Sequence, residues 1–332
     1  MQIDQFLRRA VWRLRRRVQP GADNEPLVSV EPQRPPPSNP PKSPKPPLRR
    51  RDRWVRTAVA FITTFALLAA GYAVLVAANS RVPLDAGFIA PLDPGGDRAT
   101  SAATALLALD SGDALAGADD LLVIPNGRRL RAERIKAGAA SVVAAYVDLL
   151  AAAQTPLDPA LADALEAVRA DDPAATRDAL MRFNNRIARG RATSGAGPAR
   201  VADIAAAAAA ACERESAVLN EIAEREQGWM ASPMAQAQAS HARGVAFGWL
   251  LLLRGALADA PDVASATVIE ASAPLDALAA AAETQPLFLF NGGPQTPWSP
   301  PHIRRQAGHF ARAAVGAQAL ASAALRTSPS AP

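Results

Sequence analysis

One cysteine and three histidines in 332 residues leave little covalent or metal chemistry to build on. A lone Cys212 allows no intramolecular disulfide, so an oxidising compartment would lend the fold no covalent support. Within the Ala-rich run AAAAAAACERE it reads as a small apolar core residue. No histidine is paired with cysteine or stands in HExxH spacing, which argues against a structural zinc site. Residues 81–332 hold no P-loop, GxSxG, dinucleotide fingerprint or SxxK. No cofactor, metal or catalytic residue is therefore expected, and a non-enzyme is favoured. Aromatics make up 5% of the chain, and no apolar/polar alternation exceeds four residues. That absence points to an all-α chain, with only PLFLF at 286–290 a candidate for extended chain.

The absence of charge is most telling between Thr57 and Ala78, twenty-two residues without an Asp, Glu, Lys or Arg. As a helix this stretch would span ~33 Å, enough for a bilayer core of ~30 Å. Arg49, Arg50, Arg51, Arg53 and Arg56 flank it on one side and only Arg81 closely on the other. Cationic flanks stay cytoplasmic, so the expectation is a single-pass bacterial inner-membrane protein, N-terminus cytoplasmic and C-terminal domain periplasmic. Ala77, Ala78 and Ser80 resemble a cleavage site, but the run is longer than a signal core and starts too far into the chain.

The formal charge of +5 hides two halves of opposite sign. Residues 1–56 carry 14 Lys/Arg against 5 Asp/Glu, whereas 81–332 carry 22 against 26. The basic half adjoins the apolar stretch, where anionic head groups are the nearest partner and nucleic acid is not expected. Residues 1–18 put Ile3, Phe6, Leu7, Val11, Leu14 and Val18 on one helical face. That pattern predicts a basic amphipathic helix on the cytoplasmic membrane surface, with Trp12, Arg13, Arg16 and Arg17, and further on Trp54, at the interface. Residues 19–56 form a Pro-rich basic linker, with 11 Pro among residues 19–48. The transmembrane helix is 57–78, a Pro/Gly-punctuated connector follows at 79–96, and the tail 327–332 is expected to be disordered.

Residues 97–326 are expected to fold as an Ala-rich helical bundle. The pattern predicts helices at Ala99–Leu109, Gly127–Ala153, Ala160–Ala170, Pro173–Arg189, Pro198–Gln227 and Met234–Ala258. A further helix at Val263–Glu283 is expected to be interrupted by Pro274, and the last runs from Pro300 to Leu325. The segment QPLFLFNGGPQTPWSP (285–300) stands out, with a tight turn at Asn291–Pro294 and Ser299 placed to cap the final helix. Its Phe288, Phe290, Asn291 and Trp298 are the expected partner-binding residues, joined by Arg243 and Arg254 if helices 234–258 and 300–325 pack together. The same aromatics could instead plug the end of the bundle.

Two charged clusters have solvated readings beside functional ones. Arg182, Arg186, Arg189, Arg191 and Arg200 could form a cationic patch for an anionic partner. Glu213, Glu215, Glu221, Glu224 and Glu226 could supply a carboxylate to an envelope hydrolase of glycan or peptide, with His302 or His309 as its base.

The segments SHARGVAFGWLLLLRGALAD (240–259) and ETQPLFLFNGGPQTPWSPPHIRRQAGHFARAAVGAQALASAAL (283–325) resemble an uncharacterised proteobacterial inner-membrane family, domain of unknown function 2333. MRFNNRIARGRA (181–192) is a weaker echo, and LLVIPNGRRLRAERI departs from the family's Trp-rich segments. The resemblance implies one N-terminal span and a helical ectodomain, and no assigned activity. The functional expectation is a cell-envelope adapter or assembly factor that binds an envelope protein, with a homo-oligomer open. A membrane-surface sensor reporting through the N-terminal arm is the third reading.

Overall fold

The structure, a computed structural model, describes residues 50–79, 96–109, 127–193, 195–225, 232–284 and 303–327. The expected amphipathic helix 1–18, with Trp12, Arg13, Arg16 and Arg17, lies outside the described residues, as do most of the Pro-rich linker, the connector up to residue 95 and residues 328–332. The chain divides into two units, Met1–Ala60 and Phe61–Pro332.

Every regular element among the described residues is an α-helix. Helix α1 (Arg50–Asn79) covers the uncharged stretch. Its Trp54–Gly71 window has a mean hydropathy of 1.5 and is 0% buried, with Trp54, Phe61, Ile62, Phe65, Leu67 and Leu68 all largely exposed. A second window of that hydropathy, Arg131–Ala152, is 44% buried and belongs to a core helix.

The bundle comprises α2 (Arg98–Leu107), α3 (Gly127–Ala152), α4 (Pro159–Arg169), α5 (Pro173–Ala188), α6 (Pro198–Arg225), α7 (Pro233–Asp259), α8 (Pro261–Ala266), α9 (Val268–Glu283) and α10 (Ile303–Arg326). Local chemistry explains several starts. Asp158-Pro159, Asp172-Pro173 and Ser232-Pro233 each place a capping oxygen before a proline in the first turn. The cap accepts an orphan N–H, and proline occupies a position whose N–H would lack a partner anyway.

Helix α7 is the axis of the bundle, with an almost unbroken run of buried residues from Ala242 to Leu253. A buried alanine removes little more than one methyl from water, about 0.8 kcal/mol, so an Ala-rich core requires helices to approach closely. Where α3 crosses α7, two glycines make that possible. A Cβ on Gly138 would stand 2.1 Å from the His241 carbonyl oxygen, and one on Gly244 would stand 1.9 Å from that of Ile135. Larger side chains fill the remaining volume, with Trp249, Tyr146, Phe183 and Phe310 fully buried.

Helix α10 packs chiefly on α6 and α9, and α4 on α5. Arg243 Nε donates to the Ala282 carbonyl and Gln306 Nε2 to the Ala239 carbonyl, each at 2.9 Å. The end of α9 and the start of α10 thus meet α7 one turn apart. Gly316 lies farther along α10 against Pro274, toward the start of α9, so the two helices run antiparallel.

One expected break falls elsewhere. Pro274 does not interrupt its helix: it sits inside α9, and the chain breaks instead at Thr267, between α8 and α9. Proline withdraws its N–H from the carbonyl four residues back, so α9 gives up the hydrogen bond to the Glu270 carbonyl. The Pro274 ring nests against Gly316, where a Cβ would come within 2.8 Å of its Cδ.

Candidate functional site

Five helices converge on a buried polar cluster at the start of the bundle. Asp97 precedes α2 as its cap, and its Oδ2 accepts from Thr100 N at 3.1 Å, Arg200 Nη2 at 2.5 Å, Tyr146 OH at 3.2 Å and the Thr100 hydroxyl. Arg200, from the first turn of α6, also donates to the Tyr146 hydroxyl of α3. The Asp97 N–H donates to Asn184 Oδ1 of α5 at 2.7 Å, and Asn184 Nδ2 donates to Ser101 Oγ at 2.9 Å. At the end of α7, Asp259 Oδ2 accepts from the N–H groups of Arg98 and Ala99 at 2.9 and 3.2 Å. Two carboxyl groups thus share the N-terminus of α2, where its unpaired N–H groups and dipole favour negative charge.

The electrostatics assign one proton to that pair. Burial would raise Asp97, but the Arg200 charge and hydrogen bonds from Asp259, Thr100 and Arg200 outweigh it and hold its carboxyl below the usual range. Burial, reinforced by the hydrogen bond and the charge of Asp97, pushes Asp259 up to about 7. Asp97 Oδ1 is buried with no partner while Asp259 is ionised. A protonated Asp259 supplies the missing donor. Burial resists the Arg200 charge, yet Tyr146 and Asp97 together keep it cationic, and burial keeps the Tyr146 phenol protonated. The cluster is a hydrogen-bonded knot whose ion pair is sealed from solvent, the Asp97 side chain being 0% exposed. Beside it lies a cavity of about 240 Å³, bounded by Tyr146, Arg200, Gln154 and Asp203.

The expected cationic patch does not assemble. Arg200 is buried on Asp97, Arg186 pairs with Asp158 at 2.9 Å, and Arg182 pairs with Asp163 at 2.9 Å. Acids on the neighbouring elements neutralise three of its five members. The glutamates likewise disperse: Glu213, Glu221 and Glu224 face solvent, with Glu221 bound to Arg225 one turn on. Glu215 is drawn in, accepting from Gln238 Nε2 at 3.2 Å with His241 Nε2 at 3.8 Å, and Glu226 lies outside the described residues. Burial raises Glu215, and burial with Arg134 lowers His241, so both lean toward their neutral forms. The histidine that meets this cluster is therefore His241, and not His309 of α10, whose Nδ1 accepts from Arg312 Nη2 at 2.7 Å. His302 lies outside the described residues. Among the described residues no group of three His, Cys, Asp or Glu is placed to hold a metal ion.

Of the residues expected to bind a partner, Phe288, Phe290, Asn291 and Trp298 lie outside the described residues. Arg243 is buried, and its bond to Ala282 O turns its guanidinium inward against the last turn of α9, where a cation suits the helix dipole. Burial, and after it the charge of Arg131, lower its pKa to about 10. Arg254 is half-buried on α7. The two arginines share α7, whose tie to α10 runs through Gln306.

A groove of about 840 Å³ lies between α9 and α10, walled by Ala273 and Ala280 on one side and Ala311 and Ala319 on the other. Val315 stands along it 73% exposed, and Ile269 (83%) and Leu325 (57%) are exposed on the same two helices.

Sequence reasoning missed Asp97, Asp259 and the burial of Arg200. A weak signal existed for Arg200: it stands four residues before Ile204 on an otherwise Ala/Val/Ile face. No family model, no curated protein and no solved structure matches this chain.

Proposed function

We propose that this chain is a membrane-anchored helical domain that works by binding, as an adapter or assembly factor in the bacterial envelope. One observation carries the reading: Trp54–Gly71 is long and apolar enough to span a bilayer and is 0% buried. A helix exposing this much apolar surface needs an apolar solvent, since monomeric soluble proteins rarely expose patches beyond a few hundred Å². The arginine-rich flank before it orients the N-terminus to the cytosol and the bundle to the periplasm. The resemblance to the uncharacterised inner-membrane family belongs to the same proposal. Binding is favoured over catalysis because the Asp97 carboxylate is sealed from solvent and Glu213, Glu221 and Glu224 lie on a solvated face.

Fractionation of the full-length chain tests the anchor. It should sediment with membranes, resist carbonate extraction, and be cut by external protease only beyond residue 80 once the outer face is reachable. Release by carbonate would refute the anchor. In-cell crosslinking tests the binding role: a recurrent envelope protein should be captured by the bundle and lost in Trp298→Ala.

A further inference from the structure

We propose that the groove between α9 and α10 is the docking face for a second copy of this chain, joined about a twofold axis near Val315. The surface is apolar but not sealed. Val315 projects from it 73% exposed, between walls of alanine that let another helix backbone come close. An exposed ridge beside a groove has the shape that an isologous contact requires, because each copy offers the knob that the other receives.

Charge selects the occupant. The groove carries one carboxylate, Asp276 of α9, and one guanidinium, Arg312 of α10. A site for a strongly acidic or basic partner would carry a single sign. One acid and one base on opposite walls are instead self-complementary. The axis brings Arg312 of each copy to the α9 wall of the other, within reach of Asp276. Asp276 has no ion-pair partner among the described residues, and the His309 ring fixes Arg312 at 2.7 Å.

Area sets the strength. Helices α9 and α10 are 16 and 24 residues long, ~24 and ~36 Å at ~1.5 Å per residue, and each is ~10 Å wide. Their joint outer face offers roughly 500–700 Å² per copy, a total near the lower edge of stable interfaces. The dimer is therefore weak in dilute solution and stronger wherever copies are concentrated on one surface. This inference deepens the binding reading by naming the partner and does not need the anchor. A monomeric result would sink the dimer and leave the anchor standing, and release by carbonate would do the reverse.

The chain supplies its own silent background for the test, since Cys212 is buried and its thiol is pushed up to about 12 by burial and by Glu215 and Glu213. Purified full-length Val315→Cys should form a disulfide dimer on copper-catalysed oxidation, at least about fivefold above Met181→Cys on α5, which packs chiefly on α4 and α2. Adding Arg312→Glu to Val315→Cys should lower the yield about fivefold, and adding Asp276→Arg to both should restore it. Val315 is exposed and far-UV circular dichroism reports the fold of each variant, so misfolding cannot imitate the result. A yield no higher than the control, or no rescue by the charge swap, overturns the proposal. A monomeric Val315→Cys variant whose introduced thiol is shielded from water-soluble maleimide by phospholipid vesicles would assign the groove to a membrane surface. A monomer left freely labelled would leave it to a different protein, and either outcome overturns the dimer.

Discussion

Replacing Asp259 by asparagine should stabilise the bundle near pH 8 and leave it almost unchanged near pH 4. In the folded chain the Asp259 carboxyl titrates at about 7, against 3.8 in a solvated carboxyl. A group whose pKa is raised by folding binds its proton more tightly in the native state, so native stability falls as pH rises between those two values. The fall is complete above the folded value and absent below the unfolded one. Each tenfold change in proton affinity is ~1.4 kcal/mol, for a ceiling of about 4 kcal/mol. The side chain is 13% exposed, and solvent screening reduces the effect to about 2 kcal/mol. Asparagine keeps an oxygen for the N–H groups of Arg98 and Ala99 and turns an amide N–H toward Asp97 Oδ1, imitating the protonated acid.

The groups around Asp259 do not mask this comparison. Asp97 stays ionised above pH 4, while Arg200 stays cationic and Tyr146 neutral. Elsewhere Glu215 is raised and contributes a fall in the same direction. His241 and His309 are lowered, so each loses stability as pH drops below its solvated value. All three are common to wild type and variant and cancel in the difference. Thermal melts of the full-length protein in detergent, followed by far-UV circular dichroism, should show the variant melting about 4–8 °C higher near pH 8. Near pH 4 the two should coincide to within about 0.5 kcal/mol. Parallel pH profiles would refute the shared-proton reading of the carboxyl pair.

Removing the counter-ion should do more harm. Arg200→Met strands the buried Asp97 charge and should cost about 3–5 kcal/mol at neutral pH, read as a lower melting temperature; a loss under about 1 kcal/mol would mean that the remaining hydrogen bonds suffice. Gly244→Ala puts a methyl 1.9 Å from the Ile135 carbonyl oxygen and should cost about 3 kcal/mol by forcing α3 off α7. Gly71→Ala, which meets nothing within 4 Å, is its control and should leave the melt unchanged.

Much of the helical skeleton was legible in the chain. Helices α3 and α5 were expected to within one residue at either end, and α4 likewise, because proline, glycine and capping aspartates punctuate the sequence at their ends. The Thr267 break was not legible: proline is the strongest local helix breaker, and only the room offered by Gly316 on another helix lets Pro274 stay inside α9. The arginine patch failed for a similar reason. Clustering along the chain says nothing about Asp97, 103 residues from Arg200, or Asp163, 19 from Arg182.

What the sequence determined by itself is therefore local and periodic: an uncharged helix with a cationic flank, helices bounded by caps and prolines, and alanine content that demands close packing. Those properties depend on neighbours within a few residues, through backbone dihedrals and helical period. Tertiary structure alone decided which charges are neutralised, which carboxyl keeps its proton and which apolar face is left open between α9 and α10. Each of these depends on burial and on Coulomb interactions between residues far apart in the chain, and those are set only when helices meet.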